Sequence, residues 1–204
     1  ARMGRVRTSG STGFLQTVFY KQAGGRMMEH EGDGYWIPRS GYGYYQTVRR
    51  WLNQFHYGGS ILDVGGHDTP VAAWGDFDRR TIVTQKDVAN RLPHVEYNIM
   101  DFMDFDPDRK FDVVTCLQVL EHLEQVDRFA EKLLSHAKVA LIVSVPHKWD
   151  SDANEAHPQD PVDIVKLSSW FGREPDEQVV FIEEGGVERL VVMFYIHSLQ
   201  GIYT

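Results

Sequence analysis

From Ser60 onward, short apolar stretches alternate with helix-period segments, and this alternation restricts the possible folds more than any other feature of the chain. Strands are predicted at Ile61–Val64, Thr81–Thr84, Val95–Ile99, Phe111–Leu117, Lys138–Val145, Val179–Glu183 and Arg189–Ile196. Between the fourth and fifth, Val126, Phe129, Ala130, Leu133, Leu134 and Ala137 recur at i, i+3, i+4, i+7, i+8 and i+11, which is one face of a helix. A further helix is predicted over Pro161–Phe171, with the proline in its first turn. Strands alternating with helices imply a parallel sheet covered on both faces. Only Glu184–Glu188 separate the last two strands, and Gly185-Gly186 suits a tight hairpin, so the sheet should end in an antiparallel pair. The expected class is α/β, a doubly wound seven-stranded sheet with an antiparallel terminal hairpin.

Upstream, Tyr44, Val48, Trp51, Leu52 and Phe55 share one helix face, and Gly58-Gly59 should stop that helix. Residues 1–41 are rich in Gly, Ser, Arg and Tyr without a sustained period, and read as a mostly irregular arm with a short ordered piece near Phe14–Tyr20. The expected division is this arm, a candidate lid, followed by one domain over 42–204, in keeping with a length of 204 residues. Tyr42 and Tyr45 fall off the helix stripe and are the expected contact residues of an aromatic lid that also includes Tyr35-Trp36; Tyr44 and Trp51 should pack the helix on the sheet.

Charge narrows the partners. Residues 1–50 hold eight Lys/Arg against three Asp/Glu, and residues 51–204 hold thirteen against twenty-six. An acidic body argues against broad duplex nucleic-acid binding, which depends on neutralising phosphates. The basic arm reads as a solvated tail, with contact to a phosphate left open. The one cysteine, Cys116, excludes an intramolecular disulfide and a Cys-rich zinc site. The longest apolar runs are strand-sized, far below the ~20 residues of a membrane span. No charged-then-apolar signal opens the sequence, so a cytoplasmic location is expected.

Chemistry should gather where strands end. The first predicted strand runs into Asp63-Val64-Gly65-Gly66-His67-Asp68, and ligands of doubly wound sheets bind at the carboxyl ends of strands, where glycine lets backbone approach them. The fourth runs Phe111-Asp112-Val113-Val114-Thr115-Cys116-Leu117-Gln118-Val119-Leu120-Glu121-His122-Leu123. This Phe-Asp-Val-Val…Val-Leu-Glu-His-Leu stretch, with the strand order, resembles the class I S-adenosyl-L-methionine-dependent methyltransferases, of the small type 11/12-like kind, over about residues 42–200. The resemblance implies a Rossmann-like fold, S-adenosyl-L-methionine as cofactor and methyl transfer as the reaction. It further implies that Asp63, Gly65 and Gly66 pack against the methionine part of the cofactor, that Asp101 meets the adenine amine with Phe102 beside the ring, and that Leu117 and Gln118 hold the amino-acid end. Two departures stand out. His67 and Thr69 replace the later glycines of the first motif, and Gln85 stands where an acidic residue usually grips the ribose hydroxyls, with Asp87 two residues on. Glutamine lacks the charge-assisted strength of a carboxylate there.

For the reaction itself, methyl transfer to a hydroxyl needs orientation and a base, and histidine suits neutral pH. His147, after the fifth strand, and His157 are the candidate catalytic residues. The segment Asn154–Asp163, followed by Ser169-Trp170, resembles one in bacterial methyltransferases encoded with glycan-assembly enzymes, which implies a small-molecule or saccharide-type acceptor. Glu121-His122 invites comparison with relatives, quinone-biosynthesis and small-RNA 2′-O-methyltransferases, that ligate a divalent cation through Glu-x-x-Glu-His. Here the first Glu is Gln118, and the pair reads instead as support for the following helix, so no metal is assigned. The expected function is O-methylation of a small molecule or saccharide. A metal-assisted RNA 2′-O-methyltransferase, and a non-catalytic binding protein with the same fold and a degraded cofactor motif, are the alternatives.

Overall fold

A computed structural model describes residues 5–9, 15–19, 36–55, 58–88, 91–150, 155–183 and 185–196. Its strands are β1 (Arg5–Ser9), β2 (Leu15–Phe19), β3 (Ser60–Val64), β4 (Arg79–Thr84), β5 (Glu96–Ile99), β6 (Phe111–Leu117), β7 (Ala137–Pro146), β8 (Glu177–Ile182) and β9 (Glu188–Tyr195). Three α-helices accompany them: α1 (Gly43–Leu52), α2 (Val126–His136) and α3 (Ile164–Phe171). All strands join one sheet in the order β2-β1-β8-β9-β7-β6-β3-β4-β5. From β7 to β5 neighbours are parallel, and β9 is antiparallel to both β7 and β8. The chain builds outward from β3 through β4 to β5, then crosses back to lay β6 on the other side of β3. That reversal opens a crevice at the carboxyl ends of β3 and β6.

The seven predicted strands are all present, with ends within about two residues of those expected. What the sequence reading lacked is the hairpin β1–β2, which pairs antiparallel with β8 and widens the sheet to nine strands. The expected ordered piece near Phe14–Tyr20 is β2; of the remaining arm β1 and residues 36–41 are described, while Tyr35 lies outside the described residues. Without β1, β8 would present an edge of open backbone groups, and edge pairing is a backbone event with little hydrophobic signature.

Both faces of the central strands β3, β6 and β7 are buried, as interior parallel strands require. Adjacent residues point to opposite layers. Leu62, Val114 and Leu141 face a core completed by Phe129 and Leu133 of α2 and Leu167 and Trp170 of α3. Ile61, Val113 and Ile142 face a second core filled by Tyr44, Val48, Trp51 and Leu52 of α1. The start of α1 is held by Glu183, whose carboxylate accepts hydrogen bonds from the Gly43 and Tyr44 amides at 3.1 and 3.3 Å. Those amides are orphan donors at the positive end of the helix, where an anion is favoured. Three local expectations shift. The first helix ends at Leu52, leaving Phe55 in the turn that follows, although it still packs on the core. The last helix starts at Ile164, because Asp163 caps it by accepting from the Lys166 amide at 2.9 Å; Pro161 lies before the cap. Tyr45, expected off the packed face of α1, is held in the second core instead. It is buried, stacked on Tyr44 at 4.1 Å and set edge-on to Trp36 at 4.8 Å, itself buried. No helix among the described residues is long and apolar enough to cross a membrane.

Leu133 is fully buried between α2 and the sheet, whereas Glu131 on the same helix is exposed. Leu133→Ala is expected to lower unfolding free energy by about 2–5 kcal/mol, and Glu131→Ala to change it by no more than about 0.5 kcal/mol. Denaturant titrations of the two variants check this packing.

Candidate functional site

The crevice is a cleft of about 760 Å³ lined by the ends of β3, β4 and β6 and the turns that follow them. Asp63, Gly65, Gly66, Gln85, Asp101, Phe102, Leu117 and Gln118, scattered over more than fifty positions of sequence, all line it. His67 and Thr69, the two departures from the expected glycine pattern, do so as well. So do Tyr45, an expected contact residue, and His122, which belongs to the motif after the fourth strand; Met100, Met103 and Phe129 also line it but carried no motif, adjacency to Asp101 and membership in the apolar face of α2 being the available signals.

At the floor, Asp63 is buried with 1% of its surface exposed. Its Oδ1 accepts a hydrogen bond from Thr115 Oγ1 at 2.6 Å, across the register pair that joins β3 to β6. Its Oδ2 is buried without a hydrogen-bond partner. Burial pushes the carboxyl up from 3.8 to about 7, against the lowering effect of the Thr115 bond. The glycines after it are sterically dictated. A Cβ on Gly66 would stand 2.0 Å from Asp63 Oδ2, and one on Gly65, whose φ is +78°, would stand 2.5 Å from Val119 Cγ2. Beyond them the chain makes a turn, with the His67 amide donating to the Gly65 carbonyl at 2.7 Å, and then one 3-10 turn over Val71–Ala73. The later glycines of a longer phosphate-loop-like turn are therefore not called for by this backbone.

At the β4–β5 edge, Gln85 Nε2 donates to Asp101 Oδ2 at 2.9 Å, while Asp101 Oδ1 accepts from the Met103 amide at 2.8 Å and caps the 3-10 turn Phe102–Asp104. The glutamine that replaces an acidic residue is thus locked to the acidic residue opposite. Asp87 is engaged elsewhere, ion-paired with Arg91 at 2.8 Å and bonded by the Val88 amide. Phe102 is 3% exposed and packs on Phe129 with ring centroids 4.9 Å apart, so it forms an apolar floor anchored in the core. At the β6 end, Gln118 adopts a left-handed φ of +55°; its amide group donates to Ser144 Oγ at 3.1 Å and accepts from Arg189 Nη1 at 2.5 Å.

The two predicted catalytic histidines lie outside the cleft lining. His147 follows β7, and its Nδ1 is 2.7 Å from Glu188 Oε2 at the start of β9. His157 is buried, its Nδ1 2.8 Å from Asp160 Oδ2 and its ring packed against His122 at 4.6 Å and Trp149 at 5.5 Å. Glu121, expected to support a helix, instead occupies a 3-10 turn over Leu120–His122, buried, with Oε2 lacking a hydrogen bond. Burial pushes its carboxyl up to about 8.

By sequence, no protein-family model and no curated protein matches this chain. By structure, it is similar to N-methyltransferase NodS from Bradyrhizobium japonicum WM9, with a TM-score of 0.61 and 14% identity over 80% of this chain and 98% of that one. It is also similar to 1,6-didemethyltoxoflavin-N1-methyltransferase of Burkholderia thailandensis (TM-score 0.59, 16% identity, 78% of this chain and 80% of that one). A third is magnesium protoporphyrin IX methyltransferase ChlM from Synechocystis PCC 6803 (TM-score 0.57, 16% identity, 75% and 83%). All three were crystallised with S-adenosylhomocysteine, NodS in a separate structure.

Because the folded protein binds a proton at Asp63 more tightly than the unfolded chain does, the stability this provides is complete below about pH 4 and is lost as pH rises through about 7. Asp63→Asn, which keeps an acceptor for Thr115, should flatten that decline in the ligand-free protein. Thermal melts across this pH range check it; equal slopes in the two proteins would show that Asp63 titrates as an ordinary carboxylate.

Proposed function

The chain has the class I methyltransferase fold, and from that premise we propose that it transfers a methyl group from S-adenosyl-L-methionine to an oxygen of a small-molecule or saccharide-type acceptor. The observation that carries this reading is the cradle at the switch point. A buried carboxylate oxygen lacks a donor there, and the two glycines that follow, packed too close to Asp63 and Val119 to carry any side chain, leave bare backbone at the cleft. Such a cradle suits backbone-close binding of a ligand that brings its own hydrogen-bond donors or positive charge. Around it, Leu117 and Gln118 would hold the amino-acid end of the cofactor, Gln85 and Asp101 its ribose and adenine, and Phe102 the face of the ring. The fit is one of residue chemistry: acidic and amide groups at the rim, apolar floor between.

When bound, the cofactor supplies an activated sulfonium methyl, so the protein's own tasks are to orient, to exclude water and to take a proton. The choice of oxygen rests on His147. Glu188 on its Nδ1 fixes the neutral ring's tautomer and orients it, so that Nε2 is the nitrogen left to take a proton from a hydroxyl acceptor. Since His147 stands beyond the cleft lining, the acceptor lies along the β7–β9 edge, past Gln118 and Arg189. The unit responsible is residues 42–204, with residues 1–41 as an accessory arm.

Calorimetric titration with S-adenosyl-L-methionine and S-adenosylhomocysteine tests the reading: saturable one-to-one binding is expected. Asp63→Ala and Asp101→Ala should each weaken it by about 1–3 kcal/mol. No heat from demonstrably folded protein would overturn methyl transfer and leave a partner-binding scaffold. Once an acceptor is in hand, His147→Ala should lower turnover at least about a hundredfold with cofactor affinity unchanged; equal turnover would remove His147 as the base.

A further inference from the structure

We infer that Glu121, His122 and His157 form a binding site for one divalent first-row transition ion of the zinc type. One ligand atom of each lies within 4.8 Å of those of the other two. The hydrogen bonds identify which atoms these are. His122 Nδ1 is 2.8 Å from the Ala156 carbonyl, which can only accept, so Nδ1 carries the hydrogen and the neutral ring keeps its lone pair on Nε2. His157 Nδ1 faces the Asp160 carboxylate, so its neutral ring likewise presents Nε2 as the acceptor. The third group is Glu121, 1% exposed, whose Oε2 has no hydrogen-bond partner. Two lone pairs and a buried carboxylate oxygen therefore converge with no hydrogen bond to Glu121 Oε2. A cation resolves that arrangement: Arg189 attracts the Glu121 carboxylate from a distance without hydrogen-bonding to Oε2, its Nη1 being given to Gln118 and its guanidinium lying 4.6 Å over Trp149.

The surroundings are those of a built site. A carboxylate behind one imidazole and a carbonyl behind the other are the partners that orient metal-bound histidines. The loop carrying His157 is pinned to the Glu121 turn, with the Gln159 side chain donating to the Leu123 carbonyl at 2.8 Å. Two imidazoles and one carboxylate select zinc, cobalt or iron(II) over magnesium or calcium, and three protein ligands leave positions open. This reverses the expectation of no metal, which turned on Gln118. That side chain is committed to Ser144 and Arg189, and the third ligand comes instead from a separate loop. Because His122 also lines the cleft, an ion held here would lie beside the space where an acceptor would enter; this consequence rests on the methyl-transfer reading, whereas the binding does not.

The test is titration of the chelator-stripped full chain with Co²⁺, followed by visible ligand-field absorption and competition. One Co²⁺ per chain is expected, displaced by equimolar Zn²⁺ but not by excess Mg²⁺. His122→Ala removes an exposed ligand and should weaken binding at least about a hundredfold, and Asp160→Asn about ten- to a hundredfold. His94→Asn, at a surface histidine outside the cluster, should leave affinity unchanged. Absence of saturable Co²⁺ binding, or an affinity that His122→Ala leaves intact, would overturn the site. None of these readouts uses the cofactor, so failure here leaves methyl transfer standing, and failure of adenosyl-ligand binding leaves the metal site standing.

Discussion

Thr115 Oγ1 donates to Asp63 Oδ1 at 2.6 Å, and the functional end of the sheet depends on that contact. It ties the end of β3 to β6 at the point where strand order reverses, adding a side-chain bond to the backbone ladder that already pairs the two strands. A carboxylate placed this deep is costly unless its oxygens are paired. With one paired and one not, the fold holds an acid close to its titration point in the floor of the cleft. The residues after it follow from the same constraint. Gly66 must be a glycine because Asp63 Oδ2 occupies the Cβ position, and Gly65 because the turn takes a left-handed φ against Val119.

The rim of the cleft is polar, and its groups are already bonded to one another. Gln85 with Asp101 closes one side, and Gln118 with Ser144 and Arg189 closes the other. Such pairs hold side chains in one rotamer before any ligand arrives, so less conformational entropy is lost on binding. They also compete with the ligand for the same lone pairs. The neutral glutamine at position 85 therefore orders the aspartate opposite while occupying one of its oxygens.

The strands were legible because burial on both faces writes itself as continuous apolar runs, and α2 because its stripe repeats at helical spacing over eleven residues. The cofactor-cleft residues were legible because each ends or follows a strand whose position the pattern already fixed. The rest depended on tertiary neighbours that no local pattern encodes. Tyr45 lies off the stripe of α1 yet is buried by Trp36 and Trp74, which come from either side of the helix in sequence. Glu121 looked like helix support until the loop after β7 brought His157 against His122. The β1–β2 hairpin is recognised through backbone pairing with β8, which a polar sequence such as Arg5–Ser9 does not advertise.

Helix α2 ends at His136 and β7 begins at Ala137, so the residue that terminates the helix is the first of the strand. A joint of zero length has no torsional slack. Phe129 touches the cleft at one end of this rod, while at the other end β7 delivers Ser144 to Gln118 and runs on to His147. With no loop residue between helix and strand, an insertion or deletion at this joint would have to shift either the face that α2 packs or the register of β7.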